Sequence, residues 1–244
     1  MIKKDQPTCF PSNVLVAVSS VGDGTMLDRV MGVHDGSVVS NRTKFCDSLG
    51  VSYGDVIFHR IVYGEKRTYD LIAEVDDGST AKYTSEVVAD ALYTRSRGVM
   101  LMLPVADCVA TVIFDPTTQA LALLHLGRHS TVTPLLSRVI KKMITEDAKA
   151  EDIVVWMSPN AHASHYVMEY FDQANDPSWQ NFCQKRSDGY HLDLQGYNKQ
   201  VCLAHGLRSN NIHTSPTNTV TSPDYFSHSA GDTKGRFATV AMLH

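Results

Sequence analysis

The chain has 244 residues, of which 43% are hydrophobic and 20% are charged, a composition that is ordinary for a globular protein with one large domain over 1–244. A formal net charge of −4 and a pI near 6.2 give no electrostatic basis for binding nucleic acid or an anionic membrane. The five scattered cysteines form no CxxC pair, which excludes a disulfide framework and fits a reducing compartment. No apolar run approaches the ~20 residues that cross a bilayer, so we predict a cytoplasmic protein that is a monomer or a small homo-oligomer.

Short runs rich in Val, Ile, Leu and Tyr, bordered by Gly, Asp or Pro, predict β-strands along most of the chain. These runs are Val14–Ser20, Val56–Val62, Tyr69–Val75, Val99–Val105, Cys108–Phe114, Ala120–His125, Ile153–Met157 and Phe237–Met242. They lie among helical segments rather than in one block, which favours a mixed sheet.

The clearest helix is predicted after residue 132. Apolar residues recur with helical spacing from Leu135 to Ile144. Thr133 can cap this helix, with Pro134 at its first position.

Two further helices are predicted from their ends. Asp193 can cap a helix that Gly206 stops by adopting the left-handed conformation. A weaker pattern predicts a helix from about Ser40 to Gly50. Because strands outnumber helices, we predict the α/β class, a single-domain α/β sandwich with a mixed sheet.

Two neighbouring predicted strands each carry a reactive residue near an end. Cys108 directly follows Asp107, and His125 is close to the end of the next strand. His59 lies within an earlier strand-like run. One thiolate and two imidazoles, with a fourth position open, are the ligands expected of catalytic zinc. The residues are about 50 and 17 positions apart, so no local motif defines the site, and a structural role for each remains open.

Cys108 and His125 also allow a metal-free interpretation. The imidazole can hold the thiolate ready as the nucleophile of a cysteine hydrolase or deamidase. This interpretation makes His59 dispensable, whereas the zinc interpretation makes it a ligand. Loss of His59 should therefore remove activity under the zinc interpretation and leave it intact under the hydrolase interpretation.

A series of short motifs follows in a fixed order from about residue 30 to the C terminus. The motifs are Asn41-Arg42, His59, Ala89-Asp90-Ala91, Ala106-Asp107-Cys108, His125-Leu126-Gly127, Ser158-Pro159, Leu192-Asp193-Leu194, Phe226-Ser227 and Gly235-Arg236. In this order the sequence resembles the multicopper polyphenol oxidoreductase (laccase)-like family, also described as zinc-dependent purine nucleoside phosphorylases. Ala-Asp-Cys and the closing Phe-Ser…Gly-Arg are the more specific of these motifs.

The sequence departs from the family pattern around the predicted pocket. Ile57 replaces a glutamine, Arg60 replaces a glycine, and Ser158 replaces the glycine of a Gly-Pro turn. The family segment Gly-Trp-Arg-Gly is Gly-Arg-His-Ser here, so the tryptophan is absent and the basic residue is shifted to Arg128. The chain is therefore a divergent member, and a non-catalytic relative is an alternative.

The resemblance implies a fold shared with toxin-type cysteine deamidases and a zinc ion held by His59, Cys108 and His125. It implies purine nucleoside and phosphate as substrates, with adenosine, inosine and methylthioadenosine as candidates, and adenosine deamination as a further reaction. Copper-dependent phenol oxidation, the older family label, is the weaker alternative because the sequence has no His-x-His pair.

The family-matched positions also suggest catalytic and substrate-binding residues. Besides Cys108, the carboxylate of Asp107 is the nearest group by sequence that can move a proton, although it can instead orient a ligand or cap the turn. Arg42, Arg128 and Arg236 lie at family-matched or adjacent positions and are the candidates for binding phosphate.

Overall fold

Two mixed β-sheets packed face to face form the centre of the computed structural model, which describes residues 1–32, 34–64, 67–79 and 85–244. The strands in chain order are β1 Val14–Val18, β2 Val56–Arg60, β3 Ile72–Glu74, β4 Ser85–Val88, β5 Ala91–Thr94, β6 Met100–Val105, β7 Val109–Asp115, β8 Ala120–Leu126, β9 Val154–Met157, β10 Val167–Met168, β11 Cys183–Arg186, β12 Gly189–Leu192, β13 Ile212–Thr214 and β14 Phe237–Leu243. The α-helices are α1 Gly36–Ser48, α2 Arg128–Val132, α3 Leu135–Thr145 and α4 Leu194–Ala204.

The strands are distributed over three sheets. A five-stranded sheet has the order β1-β14-β6-β2-β4, and a six-stranded sheet has the order β13-β9-β7-β8-β5-β3. Both contain parallel and antiparallel pairs, whereas the small sheet β10-β12-β11 is antiparallel. The predicted α/β sandwich with mixed sheets is confirmed.

Helices cover the outer faces of the two large sheets and make four layers. Along β6, Leu101 and Leu103 pack between the sheets, while Met100 and Met102 pack toward α1. The outer face of the six-stranded sheet packs against α3 and α4. Because the central strands are buried on both faces, they read as continuous apolar runs rather than as alternating ones. None of the described helices is long and apolar enough to cross a membrane.

The helices begin and end close to the predicted positions, with one exception. Asp193 caps α4 by accepting from the backbone N–H of Gly196, and Gly206 adopts φ +86°. The helix predicted from Ser40 begins earlier, at Gly36, because the Asp35 side chain caps it.

The exception is the helix predicted to be capped by Thr133. That residue ends the short helix α2, and its hydroxyl donates to the carbonyls of Tyr69 and His129. The next helix, α3, starts after Pro134. The predicted cap was wrong because Thr133 satisfies the end of α2 instead of the start of α3, whereas the predicted helix itself is confirmed as Leu135–Thr145.

The strand predicted over Tyr69–Val75 is shorter in the structure. It covers only Ile72–Glu74, and Tyr69 has a left-handed φ of +57° that no strand allows. The short strands β4, β5 and β10 to β13 did not appear in the sequence prediction. They are short, and several lie at sheet edges where the apolar pattern is weak.

Candidate active site

The hairpin β7–β8 brings the predicted thiol and one imidazole to the same end of the six-stranded sheet. Ala110 pairs with His125 across the hairpin, so the residue just before β7, Cys108, lies opposite Gly127. A Cβ added to Gly127 would lie 2.9 Å from Cys108 Sγ and 3.4 Å from His125 Nε2. Because Gly127 has no side chain, the side chains of Cys108 and His125 can both lie close to it.

His59 comes from β2 in the five-stranded sheet and is anchored by the segment between β4 and β5. Its Nε2 lies 3.0 Å from the carbonyl oxygen of Ala89, and its buried Nδ1 has no hydrogen-bond partner. The next residue, Asp90, accepts a hydrogen bond from the backbone N–H of His125 at 3.0 Å. Ala89 and Asp90 thus hold both histidine-bearing strands through their backbone carbonyls.

Burial determines the charge state of the three predicted ligands. It lowers the pKa of His59 to about 3, with His125 adding to the effect, and lowers the pKa of His125 to about 4, with His129 adding. Both imidazoles are therefore neutral at pH 7. Burial, followed by the charge of Asp107, raises the pKa of the Cys108 thiol to about 12, while Arg236 acts in the opposite direction.

The donors fit zinc in type, and the two neutral imidazoles also fit in charge state, whereas Cys108 would have to lose its proton on binding the metal. A histidine that binds a metal usually donates its other ring N–H to a carbonyl or carboxylate, and this is the arrangement of His59 with Ala89. Its Nδ1 then presents a lone pair in a buried position. However, among the described residues no three His, Cys, Asp or Glu side chains are grouped closely enough to hold one metal ion. The structure thus supplies donors of a suitable type but does not gather three of them around one point in the part of the chain that it describes.

Two tyrosines and a buried arginine surround the thiol. Arg236 is only 8% exposed, and its guanidinium interacts electrostatically with Cys108 and Tyr63. Tyr63 is 54% exposed as a residue, but loss of solvent around its hydroxyl, and then the neighbouring Cys108, raise its pKa. The same two causes raise the pKa of Tyr166, whose hydroxyl also lies near Arg128. Both hydroxyls therefore remain protonated and able to donate.

Arg42 does not reach this site. Its Nε donates to the carbonyl of Met26 at 2.7 Å and its Nη1 to the hydroxyl of Tyr53 at 3.1 Å. The guanidinium also lies 4.0 Å from the ring centroid of Phe58, on the face of β2 that packs toward α1. We therefore remove Arg42 from the phosphate-binding candidates, because it packs in the core on the other side of the sheet.

Asp107 lies beside the thiol, but its carboxylate is already engaged. Its two oxygens accept from the hydroxyl of Thr219 and the backbone N–H of Ser229, both at 2.7 Å. The residue also has a left-handed φ of +72°. These contacts favour the structural alternative, in which Asp107 shapes the turn before Cys108 and ties two C-terminal loops to it.

A cavity of about 390 Å³ lies at the start of α2, which directly follows Gly127, but none of the three predicted zinc ligands lines it. Arg128, His129 and Arg67 line it, together with Tyr69. The rings of His129 and Tyr69 stack with centroids 4.5 Å apart. The cavity therefore has an aromatic wall, and its two arginines are accompanied by the carboxylates of Asp70 and Asp172.

Sequence reasoning missed several residues of this region. Tyr63 and Tyr166 lie in segments without a motif, and only the fold brings them to Cys108. Asp90 belongs to the Ala-Asp-Ala motif, but its role was not assigned. In the structure its fully buried carboxylate accepts from Arg67 Nη2 and from the backbone N–H of Leu71, both at 3.0 Å. It thereby anchors the segment that includes the cavity wall.

The fold and the site define a class: a two-sheet α/β protein with a Cys-His pair at a hairpin end and a second buried histidine on the facing sheet. The sequence profile of the multi-copper polyphenol oxidoreductase laccase family matches residues 24–244. The chain belongs to this family.

Individual relatives agree with this assignment. A purine nucleoside phosphorylase of Corynebacterium glutamicum is 29% identical over 222 residues, covering 87% of this chain and 86% of that protein. Adenosine deaminase RL5, from an unknown prokaryotic organism, is 27% identical over 189 residues, covering 72% and 69% of the two chains. The crystal structure of the hypothetical protein YfiH of Bacillus licheniformis superimposes with a TM-score of 0.79 at 24% identity, covering 95% of this chain and 93% of that one.

Proposed function

We propose that this protein cleaves purine nucleosides with inorganic phosphate, using zinc that His59, Cys108 and His125 would hold once these side chains draw together. The observation that carries the proposal is the meeting of a thiol, a neutral imidazole and a buried arginine at one hairpin end. The relative named purine nucleoside phosphorylase, at 29% identity, supports the choice of reaction.

In this reaction a phosphate oxygen attacks C1′ of the ribose as the bond between C1′ and the purine nitrogen breaks. The bonding electron pair leaves with the purine, which takes up a proton, and the products are the free base and ribose 1-phosphate. Zinc, when bound, supplies a Lewis acid and a water of lowered pKa. The balance needs no oxidant or reductant.

The remaining tasks fall to the side chains of the site. Arg236 can neutralise phosphate, because a guanidinium binds phosphate oxygens through charge-assisted hydrogen bonds. Tyr63 and Tyr166 keep their protons at neutral pH and can donate hydrogen bonds to the substrate. Arg128 contributes to the cavity at the start of α2, where we place the base against the aromatic wall.

Adenosine deamination belongs to the same proposal as a second reaction of the site. Water replaces the amino group at C6 of the purine, and ammonia leaves. The relative named adenosine deaminase RL5 supports it. Because deamination needs no phosphate, the two reactions can be separated by leaving phosphate out.

The test is to incubate the purified protein with adenosine, inosine or methylthioadenosine, with and without phosphate, and to separate the products by chromatography. We expect base and ribose 1-phosphate only when phosphate is present. Cys108→Ser should abolish their release, whereas Cys183→Ser, a matched change on the edge strand β11, should not. No product from any of these nucleosides would contradict the proposal.

The Cys-His hydrolase remains the competing interpretation, and His59 separates the two. In the structure, Cys108 and His125 form a neutral pair rather than a thiolate and an imidazolium, since burial raises one pKa and lowers the other. Nucleophilic catalysis and zinc binding both require the thiolate, so the charge state of this pair does not separate the two interpretations. Full activity of His59→Ala in the presence of a chelator would favour the hydrolase.

A further inference from the structure

A second arginine lies beside Arg236, on a segment that the sequence motifs do not cover. The backbone N–H of Met26 donates to the carbonyl of Arg236 at 2.8 Å, and that of Arg29 donates to the carbonyl of Lys234 at 3.3 Å. The backbone N–H of Arg236 donates in turn to the hydroxyl of Thr25 at 3.0 Å. Residues 25–29 therefore run alongside residues 234–236 and carry Arg29 to the same edge as Arg236.

Arg29 faces the same groups as Arg236. Its charge acts on Arg236 and on the Tyr63 hydroxyl, and Tyr63 in turn is coupled to Cys108. Arg29 is exposed, whereas Arg236 is 8% exposed. The two arginines therefore lie on paired backbone segments near Tyr63, Arg29 at the surface and Arg236 buried.

Neither of these two cations, Arg29 and Arg236, has a carboxylate in direct ion-pair contact among the described residues. The carboxylate of Asp232 acts on Arg236 only from a distance, and its Oδ1 accepts from the backbone N–H groups of Lys234 and Gly235. Two like charges placed together, one of them buried, destabilise a fold unless an anion offsets them.

We propose that Arg29 and Arg236 together form the binding site for the phosphate co-substrate, with Arg29 as its solvent-side ligand. The inference rests on the proposed phosphorolysis, and it names a residue that the sequence analysis did not. A phosphate dianion between the two guanidinium groups would balance both charges and would lie on the Tyr63 side of Cys108. Two forked donors also match the oxygens of one tetrahedral anion.

The first test is the phosphate dependence of base release by Arg29→Gln. Loss of one charge-assisted contact, about 1.5–3 kcal/mol, should raise the KM for phosphate by roughly 10- to 150-fold. The KM for the nucleoside should change by less than about twofold, because Arg29 is proposed to contact only the phosphate. Lys234→Gln is the matched control, since it removes the same charge from the facing backbone segment and should leave the phosphate KM unchanged. An unaltered phosphate KM in Arg29→Gln would overturn the inference.

A binding measurement keeps this test separate from the proposed function. Phosphate that binds the folded protein raises the melting temperature, whether or not a nucleoside is turned over. If the wild type releases no base, the proposed function fails, and the thermal shift with phosphate still decides about Arg29. A shift that falls by half or more in Arg29→Gln but not in Lys234→Gln supports the site, and equal shifts in all three proteins exclude it.

Discussion

The β7–β8 hairpin and the loops around its end are built in different ways. Every residue of both strands is buried, and the pairing runs without interruption from Val109–Leu126 to Asp115–Ala120. The surrounding loops carry exposed side chains such as Arg29 and Tyr63. The thiol and one imidazole thus stand at the end of a fully buried hairpin, whereas Arg29 and Tyr63, which are proposed to contact substrate, lie on exposed loops. Substitutions at the hairpin end should therefore change the reaction itself, whereas substitutions in the loops should change the contacts with substrate.

Gly127→Ala should give the largest effect, since it disturbs the end of the buried β7–β8 hairpin. The backbone tolerates alanine there at φ −89°, but the new Cβ would lie 2.9 Å from Cys108 Sγ and 3.0 Å from His125 Cε1. One of these side chains must move. We expect turnover to fall by about 10²-fold, because small displacements of reacting groups cost that much, with a stability loss of about 1–3 kcal/mol.

The control for this variant is Gly36→Ala, at the first position of α1, where a Cβ meets no atom within 4 Å. It should keep both activity and stability. Chemical denaturation and steady-state rates, measured on the same samples, distinguish a displaced site from an unfolded protein. Unchanged turnover in Gly127→Ala would show that the Cys108–His125 arrangement is not the reacting centre.

Asp90→Asn tests how the loop that carries Arg67 and Leu71 is attached to the segment before β5. The carboxylate is fully buried, and it holds Arg67 and the backbone N–H of Leu71. Asparagine keeps the shape but removes the charge, which leaves Arg67 without its partner. We expect the free energy of unfolding to fall by about 1–3 kcal/mol, as for other weakened contacts to buried charged groups.

The matched control is Glu151→Gln, which removes the charge of a carboxylate paired with Arg208 at 3.3 Å on the surface. Both side chains of that pair are more than half exposed, so the expected change is about 0.5 kcal/mol or less. Equal losses in the two variants would mean that burial of the Asp90–Arg67 pair adds nothing to the attachment of the cavity wall.

The sequence predicted the buried strands of the molecule better than the loops. Apolar runs identified β6, β7, β8, β9 and β14 within a residue or two, because strands buried on both faces leave an unmistakable pattern. The proximity of Cys108 and His125 could be predicted because the two residues belong to neighbouring strands of one hairpin. The separation of the strands into two facing sheets could not be predicted, since it depends on contacts between segments far apart in sequence.

The loop residues were predicted less well for a related reason. Arg42 matched a family position, yet it packs against Phe58 in the core, while Arg29 had no motif and lies beside Arg236. Side-chain direction in loops depends on backbone pairing such as that of residues 25–29 with 234–236. This backbone pairing cannot be predicted from a local pattern of charge or hydropathy.

The metal content of the purified protein tests the central claim most directly. Mass spectrometry should find zinc in stoichiometric amount in the wild type, and His59→Ala should lose it as severely as Cys108→Ala. His213→Ala, a change on β13, should retain it. Full zinc content in His59→Ala would contradict the account, since it would remove from the site the one ligand that the five-stranded sheet contributes.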